Sequence, residues 1–195
     1  MSPIPKTRLE AFSDGVLAIL ITIMVLELRP PETGGLEGLR PLFPTFFSYL
    51  LSFIYLAIYW SNHHHLLHAT QKVNGAVLWA NTHLLFWLSL FPFVTAWVGR
   101  TAGASWPTAL YGVVFFMAAV AYYILQSVIV SLQGKDSPLR AALGRDWKGK
   151  VSPFLYLAAI GLAFVKPWLS SALYVLVAAM WVVPDRRIER LTSTA

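Results

Sequence analysis

The chain has 195 residues, of which 57% are hydrophobic and 12% charged, and its formal net charge is +6. Long apolar runs recur from end to end, more than the polar surface of a soluble domain this size could cover, so the composition indicates an integral membrane protein. The absence of cysteine excludes disulfides, thiolate metal sites and thiol nucleophiles, and the basic residues sit in loops beside apolar spans, which fits an anionic membrane surface and not a nucleic acid.

Six runs are long enough to be transmembrane helices: residues 8–28, 42–67, 75–99, 106–132, 151–165 and 168–183. They form one all-α polytopic domain over 1–195, with no internal repeat. The first run opens with Arg8, Glu10 and Asp14 and then carries no charge from Val16 to Leu26. With acidic groups in its first turns and no small-residue cleavage site, it reads as a retained helix and not a cleaved signal. Prolines and glycines from Pro30 to Gly35 end it and begin a loop. Pro92 lies inside the third run, where a missing N–H kinks the helix; the kink is structural by default, and would also re-aim Phe91, Phe93, Thr95 and Trp97 toward the first helix or the outer mouth. The longest polar stretch, 134–150, contains Pro138 and Gly144 and separates four helices from two. Lys166-Pro167 turns the last two into a tight hairpin, and a short basic tail follows Pro184.

Counting Lys and Arg on alternate sides orients the chain. One side receives Lys6, Arg8, Lys72, Lys135, Arg140, Arg145, Lys148, Lys150, Arg186, Arg187 and Arg190; the other receives Arg29, Arg40, Arg100 and Lys166. By the positive-inside rule both termini are cytoplasmic in a multi-pass protein of the cell membrane. Glu27, Glu32 and Glu37 then lie outside, against Arg29 and Arg40, with a slight acidic excess that favours cations.

At about 100° per residue, Phe12, Gly15, Ile19, Thr22, Ile23 and Leu26 share one stripe of the first helix above Arg8, while Ser13 and Asp14 point to the side or back. The stripe reads either as ordinary packing or as a permeation path narrowed by branched aliphatic side chains. Ionisable groups at a span entrance need a partner or a water path.

The segment Arg8-x-x-x-Phe12-Ser13-Asp14-Gly15-Val16-x-Ala18-Ile19-x-x-Thr22 resembles the signature of the transmembrane protein 175 family, potassium channels of endosomes and lysosomes with single-repeat prokaryotic relatives. Tyr59-Trp60-x-x-His63-His64, and Asn81 followed by Leu90-Phe91-Pro92-Phe93-x-Thr95, are similar to the patterns that accompany it. The resemblance covers the first three helices closely. It implies a homotetramer of six-helix subunits, with the first helix of each lining a central pore. Ile19 is then the hydrophobic constriction, with Ile23 and Leu26 as further apolar rings. Thr22 corresponds to a threonine implicated in selectivity, so that potassium passes near Thr22 and Ile19. Phe12 and Gly15 belong to the pore-helix signature, and Asp14, with Arg8 and Ser13, is expected to join a buried network with Trp60, His63 or His64, and Asn81, which holds the pore helix in register. The function implied is a potassium-preferring cation channel that needs no cofactor.

His64 and His68 stand at an i, i+4 spacing that can bind a divalent metal, which supports a rival reading as a metal or proton-coupled transporter. The other reading makes them interfacial histidines, one or two of them within the Asp14 network. No nucleophile elbow, paired catalytic carboxylates, HExxH motif or phosphate loop occurs, so the chain is not expected to be an enzyme. Trp79, Trp87, Trp106, Trp147, Trp168 and Trp181 suit an interfacial belt. Gly112, Ala118, Ala119, Ala158 and Ala159 permit close helix contact.

Overall fold

The computed structural model describes residues 5–32, 34–70, 72–134 and 147–182. Lys135, Pro138, Arg140, Gly144, Arg145, Val183, and the tail from Pro184 with Arg186, Arg187 and Arg190 lie outside the described residues. Among those described the chain is all-helical, without strands. Its helices are α1 (Lys6–Leu26), α2 (Phe43–His68), α3 (Gly75–Ser89), α4 (Phe91–Arg100), α5 (Ser105–Gln133), α6 (Trp147–Leu162) and α7 (Pro167–Val182). A short 3₁₀ helix, Leu36–Leu42, fills the loop after α1, where only a loop was expected.

Length and composition allow four segments to cross a bilayer: α1, the 3₁₀ helix with α2, α3 with α4, and α5. The two last helices have 16 residues each, about 24 Å at 1.5 Å per residue, against roughly 30 Å of hydrocarbon. The third run is divided as Pro92 requires: α3 ends at Ser89, and α4 restarts with the proline in its first turn, where its missing N–H costs nothing. α6 begins at Trp147, so the end of the stretch read as polar loop is already helical. It ends at Leu162, earlier than expected, because the chain must turn through residues 163–166 before Pro167 opens α7. Asn74 caps α3, its side chain accepting from the Val77 N–H at 3.0 Å.

α5 is the central helix, packed against α3, α4, α6 and α7, while α1 packs against α2, α3 and α4. The core joining them is aromatic. Phe115 of α5 lies 4.0 Å from Tyr55 and 4.2 Å from Tyr111, ring centre to ring centre, with Tyr156 and Tyr174 around it. Small residues let the backbones close in. A Cβ on Gly112 would stand 2.0 Å from the Tyr174 hydroxyl, and one on Gly99 would stand 2.7 Å from the Thr45 backbone. Ala118 and Ala159 are buried likewise, but Ala158 is exposed and takes no part in that contact.

Side-chain bonds show which helix ends share a side. Lys6 Nζ donates to the His68 carbonyl at 3.0 Å and Gln133 Nε2 to the Ala69 carbonyl at 2.9 Å. Trp181 Nε1 donates to Ser152 Oγ at 2.9 Å. At the opposite end Arg100 pairs with Glu27, two residues that alternation of the spans places on the same side. Trp79, Trp106, Trp147 and Trp168 are exposed as an interfacial belt requires, whereas Trp87 and Trp181 spend their N–H groups on His83 and Ser152.

Candidate functional site on the first helix

α1 is two-faced. Leu9, Ser13, Leu17, Leu20 and Met24 are buried against α2, α3 and α4, at spacings that repeat close to the helical period. The opposite face carries Phe12, Ile19, Ile23 and Leu26, exposed by 58%, 58%, 44% and 76%. Thr22 and Arg8 are exposed beside them, and a Cβ on Gly15 would meet nothing within 4 Å. So the stripe expected from the helical period is continuous, and it is not the face that α1 packs within its own subunit.

The Thr22 hydroxyl donates to the Ala18 carbonyl one turn back. Its hydrogen is thereby spent, and the oxygen presents lone pairs from an otherwise aliphatic stripe.

The polar network differs from the one expected. Ser13, not Asp14, enters the core. Ser13 Oγ donates to the Leu9 carbonyl at 2.9 Å, and Asn81 Nδ2 donates to Ser13 Oγ at 3.0 Å. With its amide so committed, Asn81 turns Oδ1 to His63, whose Nε2 stands 2.7 Å away. The chain therefore runs one way, His63 to Asn81 to Ser13 to Leu9, which requires the His63 proton on Nε2. All three side chains are buried. They tie α1 to α3, and α3 to α2, at the α1 end that carries the charges.

Asp14 is exposed. Its carboxylate accepts from Trp60 Nε1 at 3.1 Å, and Trp60 is itself exposed. This corrects the expectation of a single buried Asp14 network. Of its proposed partners only Trp60 reaches the carboxylate, while His63 and Asn81 bond to each other and His64 faces outward. Residues 13 and 14 are neighbours about 100° apart on the helix, so only one of them can point at α3.

Trp60, His64 and His68 form a ladder on α2. The His64 ring stacks 6.1 Å from Trp60 and 6.2 Å from His68. His83 accepts from Trp87 Nε1 at 3.0 Å and so is engaged within α3. Among the described residues no group of three or more His, Cys, Asp or Glu comes together as a metal site requires.

A second buried network was missed. Ser52 Oγ lies 2.6 Å from both Thr95 Oγ1 and the Tyr111 hydroxyl, and Thr95 Oγ1 lies 3.8 Å from Met24 Sδ on α1. Of the two directions expected for Thr95, the first helix or the outer mouth, the contact with Met24 is the first; its hydroxyl partners on α2 and α5 were not expected. Ser48 and Ser52 stand four apart within an apolar span, and that spacing was the available signal.

The model of the endosomal/lysosomal potassium channel TMEM175 family matches residues 8–92, which hold α1 to the start of α4. A protein of Chryseobacterium sp. (strain P1-3) named potassium channel is 50% identical over 185 residues, covering 95% of this chain and 96% of its own length. The crystal structure of a lysosomal potassium-selective channel TMEM175 homolog from Chamaesiphon minutus superposes with a TM-score of 0.81 at 28% identity, over 92% of this chain and 97% of that one. The Gallus gallus protein named endosomal/lysosomal proton channel TMEM175 is 37% identical over 76 residues, 33% of this chain and 15% of that protein. Family and structural neighbour are ion channels, not enzymes. With half its residues identical to a relative along nearly the whole of both chains, this membrane protein belongs to the TMEM175 family.

Proposed function

We propose that the protein is a potassium-preferring cation channel of the cell membrane, in which four six-span subunits surround a pore lined by α1 and both termini are cytoplasmic. The observation that carries this reading is the division of α1 into a packed face and an exposed stripe running from Phe12 to Leu26. Lipid tails would satisfy such a stripe on any helix. The family membership and the potassium channel name of the Chryseobacterium relative favour a shared axis instead.

In this arrangement Ile19 forms the narrowest ring, with Ile23 and Leu26 one and two turns further along. An ion crossing branched aliphatic side chains sheds water without replacement oxygens, which is costly. Potassium holds its water less tightly than sodium, so an apolar neck penalises it less. The outward lone pairs of Thr22, just beyond Ile19, supply partial coordination. Ser13, Asn81 and His63 hold the helix in rotational register, so that Ile19 faces the axis.

The rival transporter reading has two exposed, stacked imidazoles to offer, His64 and His68, without a third ligand among the described residues. Reconstitution in liposomes separates the two. Potassium flux exceeding sodium flux, with the preference lost in Ile19→Asn, is the expected result. Unchanged selectivity in that variant removes Ile19 from the mechanism. Saturable divalent uptake abolished by His64→Ala and His68→Ala would replace the channel with the transporter.

A further inference from the structure

A fissure of about 730 Å³ lies between α2, α5, α6 and α7, away from the exposed face of α1. It is of the size that takes a drug-sized ligand. Its lining comes mostly from the half of each helix nearest the end that holds Lys6, His68 and Gln133, and reaches the helix middles at Tyr55, Ala119 and Tyr156. Along α5 it extends from Val130 to Ala119, about 16 Å at the helical rise, or roughly half the hydrocarbon thickness. The inner part is greasy: Ile58, Ala119, Val120 and the buried rings of Tyr59 and Tyr156.

The outer part is polar and basic. Lys150 is exposed on the rim and makes no ion pair among the described residues, and Lys148 stands over the Trp181 ring close by. Below it the half-buried Gln126 amide has no hydrogen bond among the described residues. Asn62 spends its amide N–H on Ile58 and keeps its side-chain oxygen. An ammonium, an unspent amide donor and an aromatic floor in that order match the phosphate, the ester oxygens and the acyl chain of a lipid, and a basic pocket between spans recognises an anionic head group.

We propose that this fissure binds one anionic phospholipid, with Lys150 meeting its phosphate, Gln126 its ester oxygens, and one acyl chain reaching Tyr156. The site shares no residue with the α1 stripe and does not depend on which ion the channel passes.

Native mass spectrometry of the intact assembly, with phosphatidylglycerol and phosphatidylcholine of identical chains added in competition, tests it. Phosphatidylglycerol should be retained in preference, and Lys150→Gln should lower that preference about fivefold, the share of one basic side chain. Ala119→Phe and Val130→Trp, which fill the fissure at either end, should each abolish retention while elution volume and flux stay unchanged. Equal retention of both lipids, or retention indifferent to both filling variants, overturns the proposal.

Discussion

Asn81 donates its side-chain amide to Ser13 across the α1–α3 interface at 3.0 Å, and the same amide receives His63 on its other atom at 2.7 Å. Because both neighbours are buried, removing the middle group leaves His63 Nε2 without its acceptor and takes from Ser13 the bond it accepts, although Ser13 keeps its bond to the Leu9 carbonyl. Asn81→Ala should therefore destabilise the protein by about 1–2 kcal/mol, the upper range for a hydrogen bond between membrane helices, and more than Ser13→Ala does. Thermal unfolding in detergent checks it. Equal effects of the two variants would mean that His63 finds another partner.

Ile19 and Leu20 are adjacent but lie on different faces of α1, one 58% exposed and the other 5%. Leu20→Ala should cost about 2 kcal/mol or more through the cavity left against α2 to α4. Ile19→Ala should leave subunit stability within about 0.5 kcal/mol, as exposed positions do, and should raise cation flux by widening the neck. Melting temperature and liposome flux, measured on both variants, separate packing from conduction.

The exposed Asp14–Trp60 pair joins α1 to α2 on the surface of the subunit. Asp14→Ala and Trp60→Phe should each reduce tetramer yield, and the double variant should be no worse than either, because both remove one bond. Multi-angle light scattering after size exclusion gives the yield. Normal assembly in Asp14→Ala with altered conductance alone would place Asp14 on the ion path instead.

Gly112 tolerates no side chain, since its Cβ would fall 2.0 Å from the Tyr174 hydroxyl and 2.8 Å from Ile160. Gly112→Ala should cost about 1–3 kcal/mol by overpacking. Tyr174→Phe in the same chain should recover part of it, although it forfeits the bond from Tyr174 to the Thr108 carbonyl. If Gly112→Ala lowers the melting temperature as much in the Tyr174→Phe background as in the original chain, the hydroxyl is not the obstruction.

The Glu27–Arg100 pair, at the opposite end from the charged entrance of α1, illustrates how far one chain can be read without its neighbours. Both residues stand at span ends, and their placement on one side followed from alternating the spans. Their pairing required knowing that α1 packs beside α4 and not beside the 3₁₀ segment that carries Arg40. The same limit applied at the entrance. That polar residues of α1 would meet Asn81 and His63 was legible from the resemblance; that Ser13 would do so while Asp14 turned outward to Trp60 was not.

Composition and the lengths of apolar runs determined by themselves that this is a helical membrane protein, because hydrocarbon demands that every backbone group be satisfied within its own segment. The helical period likewise determined which α1 residues share a stripe, and Pro92 determined where the third run breaks, since both are local consequences of helix geometry. Only the tertiary structure decided which face of α1 is packed, which of two neighbouring polar residues is buried, and that a fissure opens beside Lys150. Those depend on how helices distant in sequence meet, and a period along one helix carries no information about the surfaces opposite it.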